Sequence, residues 1–309
     1  MKWRDKLLLA KPEPVYGADS LPTAAANAIQ VANLELMPLE ADLVNRNLMR
    51  GALGNELQLH VGAHVKMSFD VEITSSAAAG TPPHYAVLLR GSSHSETVNV
   101  DNVIYTPIDE NDESVTLYLH FSGQLHAMVG ARGTMDIRLN PKGIPYYHFE
   151  YTGLWVDPSS VADPAVDFSG LPTPLAVTNA HTPTFTLHGA AQKVAAYEFK
   201  QNNGVFYDNL IGEESVPVND RKPSGSITIE APAISTKDWF STAKDSTVGA
   251  LQWIHGLAAG RITEFNAPRV QPLRPRYTDR NGRAMIQMDL SYVAADDGSG
   301  NPEYTITER

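Results

Sequence analysis

Three short stretches of the sequence carry residue types that could bind a metal ion. His60 and His64 in HVGAH have the i,i+4 spacing of zinc ligands on a helix, but the stretch lacks the glutamate of a metalloprotease motif and runs into a strand. The acidic runs DENDE (109–113) and DDGSGNPE (296–303) lack the Asp-x-Asp-x-Asp-Gly order of a calcium loop. Solvated histidines and acidic loops are the better interpretation, so we expect no metal site.

Catalytic motifs are equally scarce. Asp70 and Glu72 lie two residues apart on one face of a predicted strand, and they could act as acid and base only if other segments built a cleft around them. The sequence has no Gly-x-Ser-x-Gly elbow, no Gly-x-x-x-x-Gly-Lys phosphate loop and no cysteine. We therefore expect no catalytic residue, no cofactor and no enzymatic activity. A glycan hydrolase that uses these two carboxylates is the enzymatic alternative.

The composition is that of a globular protein with an acidic surface. The chain has 309 residues, of which 42% are apolar and 19% charged, which suits two domains of ordinary size. Its net charge of −11 argues against duplex binding as the main activity, because such proteins need basic patches to neutralise phosphates. No apolar run reaches the ~20 residues of a membrane-spanning helix, and the N-terminal run is too short for a secretion signal.

Alternating polar and apolar residues predict a mainly β fold. The stretches MSFDVEI (67–73), VTLYLHF (115–121) and YYHFEYTG (146–153) have the period of two that half-buried strands require. Helices are predicted at about 82–90 and 236–244, where Thr, Ser and Pro provide plausible starts. We predict two similar β-sandwich or barrel domains, each with one short helix.

The two halves of the chain resemble each other in the same order of segments. Aligning Gly143 with Gly282 places Glu150 opposite Asp289 and apolar residues opposite apolar residues. The remaining aligned segments are 31–37 with 194–200, 67–73 with 225–231, 82–90 with 236–244, and 115–125 with 250–262. Such a pattern favours internal duplication, although any two β-rich halves share alternation and turns. The predicted organisation is an arm (1–30), domain 1 (31–156), a wrapping linker (157–193), domain 2 (194–293) and a tail (294–309).

Two long connections are more apolar than isolated loops normally are. They span residues 39–58 and 201–222, and such loops are uncommon unless they bury themselves against another surface. Either they contact a second chain or they fold back on their own domain. The candidate contact residues are Leu43, Val44, Arg46, Leu48, Met49, Arg50, Leu53, Phe206, Tyr207, Leu210 and Ile211.

Several segments in order resemble the major tail tube proteins of long-tailed (siphovirus-type) bacteriophages and their prophages. They are LLLAKPEPVYGAD, NPKGIPYYHFEYTGLW, HTPTFTLHG and DRKPSGSITIEAP…KDWF, and the resemblance extends from about Leu7 to Val293. It implies tail-tube-type β domains whose rings stack into a hollow conduit for the genome. It also implies that the candidate contact residues form inter-ring stacking loops. Because this chain carries two domains where many members carry one, three chains would form a ring with pseudo-sixfold symmetry.

The resemblance also implies the partners and the location of the protein. The partners are other copies of the chain, the tape measure protein and the tail terminator and tip proteins, while DNA passes without specific binding and no membrane is involved. The protein would be made in the host cytoplasm and reside in the virion tail. Glu150 and Asp289 are then candidate acidic positions on the wall of the tube. The alternative is a two-domain carbohydrate- or cell-surface-binding β module of a tail tip, which would expose aromatic residues such as Tyr146, Trp155 or Trp253.

Overall fold

The fold is mainly β, as the alternating sequence pattern predicts. The structure, a computed structural model, describes residues 2–51, 53–294 and 302–309. The strands are β1 (Lys6–Pro12), β2 (Ala28–Ile29), β3 (Ala32–Val44), β4 (Leu59–Glu72), β5 (His94–Val98), β6 (Val103–Pro107), β7 (Val115–Phe121), β8 (Gln124–Leu139), β9 (Tyr146–Trp155), β10 (Ser159–Ser160), β11 (Thr184–Leu187), β12 (Ala190–Ala191), β13 (Val194–Lys200), β14 (Asn203–Val205), β15 (Asp208–Leu210), β16 (Glu213–Ser215), β17 (Val218–Arg221), β18 (Ser224–Glu230), β19 (Gly249–His255), β20 (Thr263–Arg280), β21 (Arg283–Tyr292) and β22 (Thr305–Glu308). The helices are α1 (Ala24–Asn27), α2 (Ala86–Arg90) and α3 (Trp239–Lys244).

Most of the long strands fall into two sets with the same spatial order. The N-terminal set runs β1–β7–β8–β9–β4–β3, and every neighbouring pair is antiparallel. The C-terminal set runs β11–β19–β20–β21–β18–β13, again antiparallel throughout. When the strands of each set are numbered along the chain, both sets have the order 1-4-5-6-3-2.

Pairing between β8 and β13 joins the two sets into one sheet. Leu139 lies opposite Tyr197, and Asp136 lies opposite Lys200. Eight neighbouring strands result, in the order β3–β4–β9–β8–β13–β18–β21–β20, and we call them the eight-strand row. Strands β8 and β20 are long because their first halves pair outside the row, with β7 and β19.

The pairing register repeats between the two halves of the row. In each half, a serine in the second strand lies between an acidic residue of the first strand and an acidic residue of the third. These triplets are Glu35–Ser68–Glu150 and Glu198–Ser226–Asp289. The registers therefore coincide with the alignment made from the sequence, although duplication itself stays a prediction.

Buried aromatic side chains from both sets form one continuous core. The ring of Phe199 lies 4.9 Å from that of Phe265 and 4.6 Å from that of Tyr304, measured between centroids. Tyr304 precedes β22, which pairs with β6 on one side and β20 on the other. The end of the predicted tail is thus part of the sheet, whereas residues 295–301 lie outside the described residues. The predicted division into domains stays a prediction.

The helices lie within the ranges predicted for them but are shorter. Helices α2 and α3 occupy the C-terminal parts of the predicted segments 82–90 and 236–244. Helix α3 begins after Asp238, whose carboxylate accepts hydrogen bonds from the backbone N–H of Phe240 at 2.9 Å and of Ser241 at 3.0 Å. Such capping satisfies donors that have no partner inside the helix. The single-turn helix α1 was not predicted.

Two buried amides secure the junction between the sets. Gln201 is fully buried; it accepts a hydrogen bond from Met135 N–H at 3.1 Å and donates one to the Ser92 carbonyl at 2.7 Å. Asn203 donates to the Gly133 carbonyl at 3.0 Å. Because buried backbone groups need partners, these amides extend the β8–β13 pairing beyond the last ladder residues.

Replacing Gln201 should therefore loosen the junction. We expect Gln201→Leu to lower the free energy of unfolding by roughly 2–4 kcal/mol, because a buried N–H and a buried carbonyl lose their partners. Urea denaturation of the soluble chain measures this change. Gln58→Leu, at an exposed position, is the matched control, and equal stability of the two variants would contradict the prediction.

Candidate assembly surfaces

Two of the residues considered for metal or acid–base chemistry, His64 and Asp70, are engaged in local contacts. The ring of His64 stacks on that of Tyr207, with centroids 4.5 Å apart. Asp70 lies 2.6 Å from Nδ1 of His148 and accepts a hydrogen bond from the Asn33 side chain at 2.7 Å. Among the described residues, no group of three or more His, Asp or Glu side chains is placed to hold a metal ion.

The eight-strand row buries one face and leaves the other open to solvent. In β9, Tyr147 and Phe149 are 0% exposed and Tyr151 is 1% exposed. The side chain of Glu150, which lies between Phe149 and Tyr151 in the sequence, is 66% exposed. Cross-strand pairing extends this alternation along the row, because directly opposed residues point to the same face. We call the open side the acidic face. Its acidic residues are Glu35, Asp70, Glu72, Asp136, Glu150, Glu198, Glu230 and Asp289, and they slightly outnumber the basic residues Lys66, Arg138, Lys200, Arg274, Arg276, Arg280 and Arg283.

Both predicted wall positions lie on the acidic face at corresponding points of the register. Glu150 lies 3.5 Å from Nε2 of His148, and Asp289 lies 3.6 Å from the Nε of Arg274. Because the charged groups of these two pairs are partly exposed to solvent, each pair contributes little to the stability of the fold. Their equivalence follows from the structure, while their position in an assembled tube stays a prediction.

Asp136 is the most strongly perturbed carboxylate of the acidic face. Burial raises its pKa from 3.8 to about 6, although Lys200 at 3.9 Å and His148 favour its charged form. It lies at the β8–β13 junction, where the neighbouring strands exclude water from its carboxylate. Desolvation therefore outweighs the attraction of its two cationic neighbours.

The eight-strand row ends in two open edges. Within the described chain, β3 pairs only with β4, and residues 276–280 of β20 pair only with β21. Two prolines at 272 and 275 in β20 cannot donate to a ladder, which is typical of edge strands. Tyr277 in this edge is 58% exposed. Open edges of this length tend to pair with another chain.

The two long apolar connections, residues 39–58 and 201–222, protrude from the same end of the eight-strand row. The β3–β4 hairpin extends past the pairing of His64 with Leu154, and the chain after β13 runs alongside β8 until Tyr207 reaches His64. Tyr207 is therefore partly covered. The other candidate contact residues are exposed: Leu43, Val44, Arg46, Leu48, Met49, Arg50, Leu53, Phe206, Leu210 and Ile211.

The sequence as a whole matches one protein family. The model of the family described as phage tail tube protein matches residues 3–305. The chain belongs to the phage tail tube protein family. No curated protein matches the sequence at a significant level. Family membership identifies a structural component of the virion tail, which assembles with copies of itself and with other tail components.

The family assignment suits the surfaces of this tail tube protein. Its conspicuous features are two open sheet edges and two exposed hairpins, and both kinds of feature are typical of surfaces that contact other chains. In the part of the chain that the structure describes, no helix has the length and apolar character needed to cross a membrane.

The carbohydrate-binding alternative finds little support in the aromatic residues of this tail tube protein. Trp253 is 0% exposed and packs in parallel against Phe265 with 5.7 Å between centroids, so its use as an exposed platform is wrong. Trp155 is 36% exposed at the end of β9. A sugar platform needs an exposed aromatic face, and Trp253 does not provide one.

The edge formed by residues 276–280 was missed from the sequence. Its role as an edge depends on which strands lie beside β20. Two prolines within four residues of a strand were the available signal. Buried Gln201 was also missed, because a polar residue in a connection is usually solvated.

Because the pKa of Asp136 is raised, this residue favours the folded tail tube protein more in mild acid than at neutral or alkaline pH. Ionisation of a carboxyl group opposes folding when its folded-state pKa lies above the ordinary value. The contribution of Asp136 to the free energy of unfolding is therefore favourable below about pH 4 and is lost as the pH rises through about 6. We expect Asp136→Asn to raise the free energy of unfolding at pH 8 by roughly 1 kcal/mol, and much less at pH 4.

Thermal melting of the dilute chain at the two pH values measures this effect. Asp101→Asn, in an exposed loop, is the matched control. If the two variants show the same difference between pH 4 and pH 8, Asp136 does not behave as its burial predicts.

Proposed function

We propose that this tail tube protein forms rings of three chains with pseudo-sixfold symmetry, which stack into a hollow tube for passage of the genome. The observation that carries the proposal is the eight-strand row. It joins four strands from each of two sets that share one strand order and one register, and it ends in two open edges. An internal duplication of a tube domain accounts for this arrangement.

The junction inside the chain provides a template for the junction between chains. In the two sets, β13 corresponds to β3. The end of β8 corresponds to residues 276–279 of β20, because β8 pairs with β9 in the same register in which β20 pairs with β21. Applying the β8–β13 pairing to these edges places Leu34, Glu35, Leu36 and Met37 of one copy opposite Asp279, Thr278, Tyr277 and Arg276 of the next. Glu35 then lies diagonal to two arginines, which long side chains can bridge.

The burial of corresponding residues supports this pairing. Ile137 at the internal junction is 0% exposed, whereas the corresponding Tyr277 at the open edge is 58% exposed. Its proposed partner Leu36 is partly buried beside the core. A neighbouring β3 strand would cover the phenol ring and remove both unpaired edges at once. Closure in a ring also prevents the uncontrolled growth that an open edge permits.

Ring closure of this kind places the acidic face toward the lumen. The buried face of the row contacts its own core, so the open face is the one available to line a channel. Carboxylates repel the phosphate backbone and release no counterions to it, so DNA can pass without adhering. The exposed hairpins then lie at one end of each ring and serve as inter-ring stacking loops.

The proposal extends to the remaining partners and to location. The two ends of the tube would contact the tail terminator and tip proteins, and the lumen would hold the tape measure protein before DNA passes. Assembly would follow synthesis in the host cytoplasm. Negative-stain microscopy of concentrated protein tests the central claim, because persistent monomers that form neither rings nor tubes would refute it.

Disrupting the edge contact should prevent ring formation without unfolding the chain. We expect Tyr277→Asp to leave monomers, since a charged residue would face the neighbouring core beside Leu36. Light scattering and microscopy measure the association state. Val98→Asp, at a position that is 53% exposed on β5, is the control and should still assemble. Normal rings from Tyr277→Asp would place the lateral interface elsewhere.

Reversing charge on the acidic face should make assembled tubes retain DNA. The double variant Glu150→Lys/Asp289→Lys places added cations at corresponding points around each ring. We expect tubes of this variant to bind short duplex DNA with an affinity that falls steeply with salt, while wild-type tubes do not. Co-sedimentation with labelled DNA measures binding. The control is Asp101→Lys/Asp245→Lys, outside the acidic face; equal retention by both variants would contradict a luminal position.

A further inference from the structure

A groove lies at the end of the eight-strand row opposite to the two hairpins. It has a volume of about 550 Å³ and lies between the β8–β9 turn, at Pro141, and the β20–β21 turn, at Asn281. Its buried and half-buried lining includes the apolar Phe185, Val194 and Met285, whereas its exposed lining includes the basic Lys193, Arg280 and Arg283. We call it the basic groove.

The groove and the hairpins lie at opposite ends because of the direction of β13. Val194 begins β13 in the groove, and Lys200 ends it opposite Ser224. From there the chain continues past Asn203, beside Thr134, to Tyr207 at the hairpin end. One copy therefore presents a projection at one end and a recess at the other, which is the geometry of a heterologous contact that repeats without closing.

The hairpin of β15 and β16 has an apolar tip with acidic flanks. Leu210 is 59% exposed and Ile211 is 110% exposed. Asp208, Glu213 and Glu214 flank them, and β15 and β16 pair so that Leu210 lies opposite Glu213. We call residues 208–215 the acidic hairpin. An aliphatic tip held in solvent by a paired hairpin is typical of a contact site for another chain.

The net charge of the basic groove favours the acidic hairpin, rather than the β3–β4 hairpin, as the segment that binds in it. In the groove, Lys193 and Glu230 form an ion pair at 2.7 Å, which leaves the charges of Arg280 and Arg283 as the excess. In the β3–β4 tip, Arg50 pairs with Glu56 at 3.3 Å, which leaves the charge of Arg46 as the excess, and the groove would repel it. The acidic hairpin carries only carboxylates as its charged groups, so the two surfaces are complementary in sign.

We propose that the acidic hairpin of one copy seats in the basic groove of a second copy in the adjacent ring. This inference rests on the proposed function and adds the two surfaces that carry the stacking contact. Ile211 packs against Val194 and Met285, and Glu213 lies near Arg280 and Arg283. The contact has a fixed direction, so it gives the tube a polarity.

Charge reversal with rescue tests the pairing. Glu213→Arg and Arg283→Glu should each yield rings that fail to stack, with the mean tube length reduced at least tenfold. The double variant Glu213→Arg/Arg283→Glu should recover stacking, because it restores opposite charges with their positions exchanged. Asp101→Arg is the control and should form tubes of normal length. Microscopy gives the length, and light scattering gives the ring mass.

The outcomes separate this inference from the proposed function. If the unchanged chain forms neither rings nor tubes, the proposed function fails. If rings and tubes form and Glu213→Arg still stacks normally, only the docking contact is wrong. Lack of rescue in the folded double variant, as judged by its circular dichroism and melting, would likewise overturn the docking contact.

Cross-linking provides a second test that does not depend on charge. The chain has no cysteine, so introduced thiols report a single contact. The variant Ile211→Cys/Asn281→Cys should form a ladder of disulfide-linked chains when assembled tubes are oxidised. Neither single variant should form such a ladder, because positions 211 and 281 lie at opposite ends of the folded chain, so two copies of the same position do not meet across the contact between rings. A double variant that assembles without a ladder would refute docking at this groove.

Discussion

The backbone pairing between β8 and β13 is the contact on which the rest of the structure depends. It joins two strand sets that would otherwise be separate sheets, with Leu139 opposite Tyr197 and Asp136 opposite Lys200. Gln201 and Asn203 extend the junction by satisfying backbone groups where the ladder ends. A strand edge with unmet hydrogen bonds is unfavourable when buried and prone to association when exposed. The chain pairs one such edge internally and leaves two edges of the eight-strand row open.

The same junction orients the two faces of the row. On the core side, aromatic residues of both sets pack together, and β22 closes the sheet between β6 and β20. On the open side, the carboxylates accumulate, and partial burial at the junction raises the pKa of Asp136 to about 6. Negative charge on this side weakens local stability, since the carboxylates repel each other. The DNA conduit that we propose would give that cost a functional reason.

Much of the local structure followed from the sequence. Alternation in YYHFEYTG predicts that Tyr147, Phe149 and Tyr151 share one face and that Glu150 lies on the other, and in the structure the aromatic face is the buried one. The turn at Asn281 and Gly282 has the positive φ angles, 53° and 77°, that its residue types favour. Trp253, which the carbohydrate-binding alternative would expose, is buried, and periodicity within one strand does not reveal what packs against each of its faces.

The amino-acid sequence by itself determined the strands, the turns, the alignment of the two halves and the acidic balance, because each depends on residues close together in the chain or on composition. The tertiary structure decided that β8 pairs with β13, that residues 276–280 form an open edge, and that a basic groove lies opposite the acidic hairpin. These features bring together residues far apart in sequence, as Lys193 and Arg283 are. Strand neighbours depend on the packing of the whole core rather than on any local pattern.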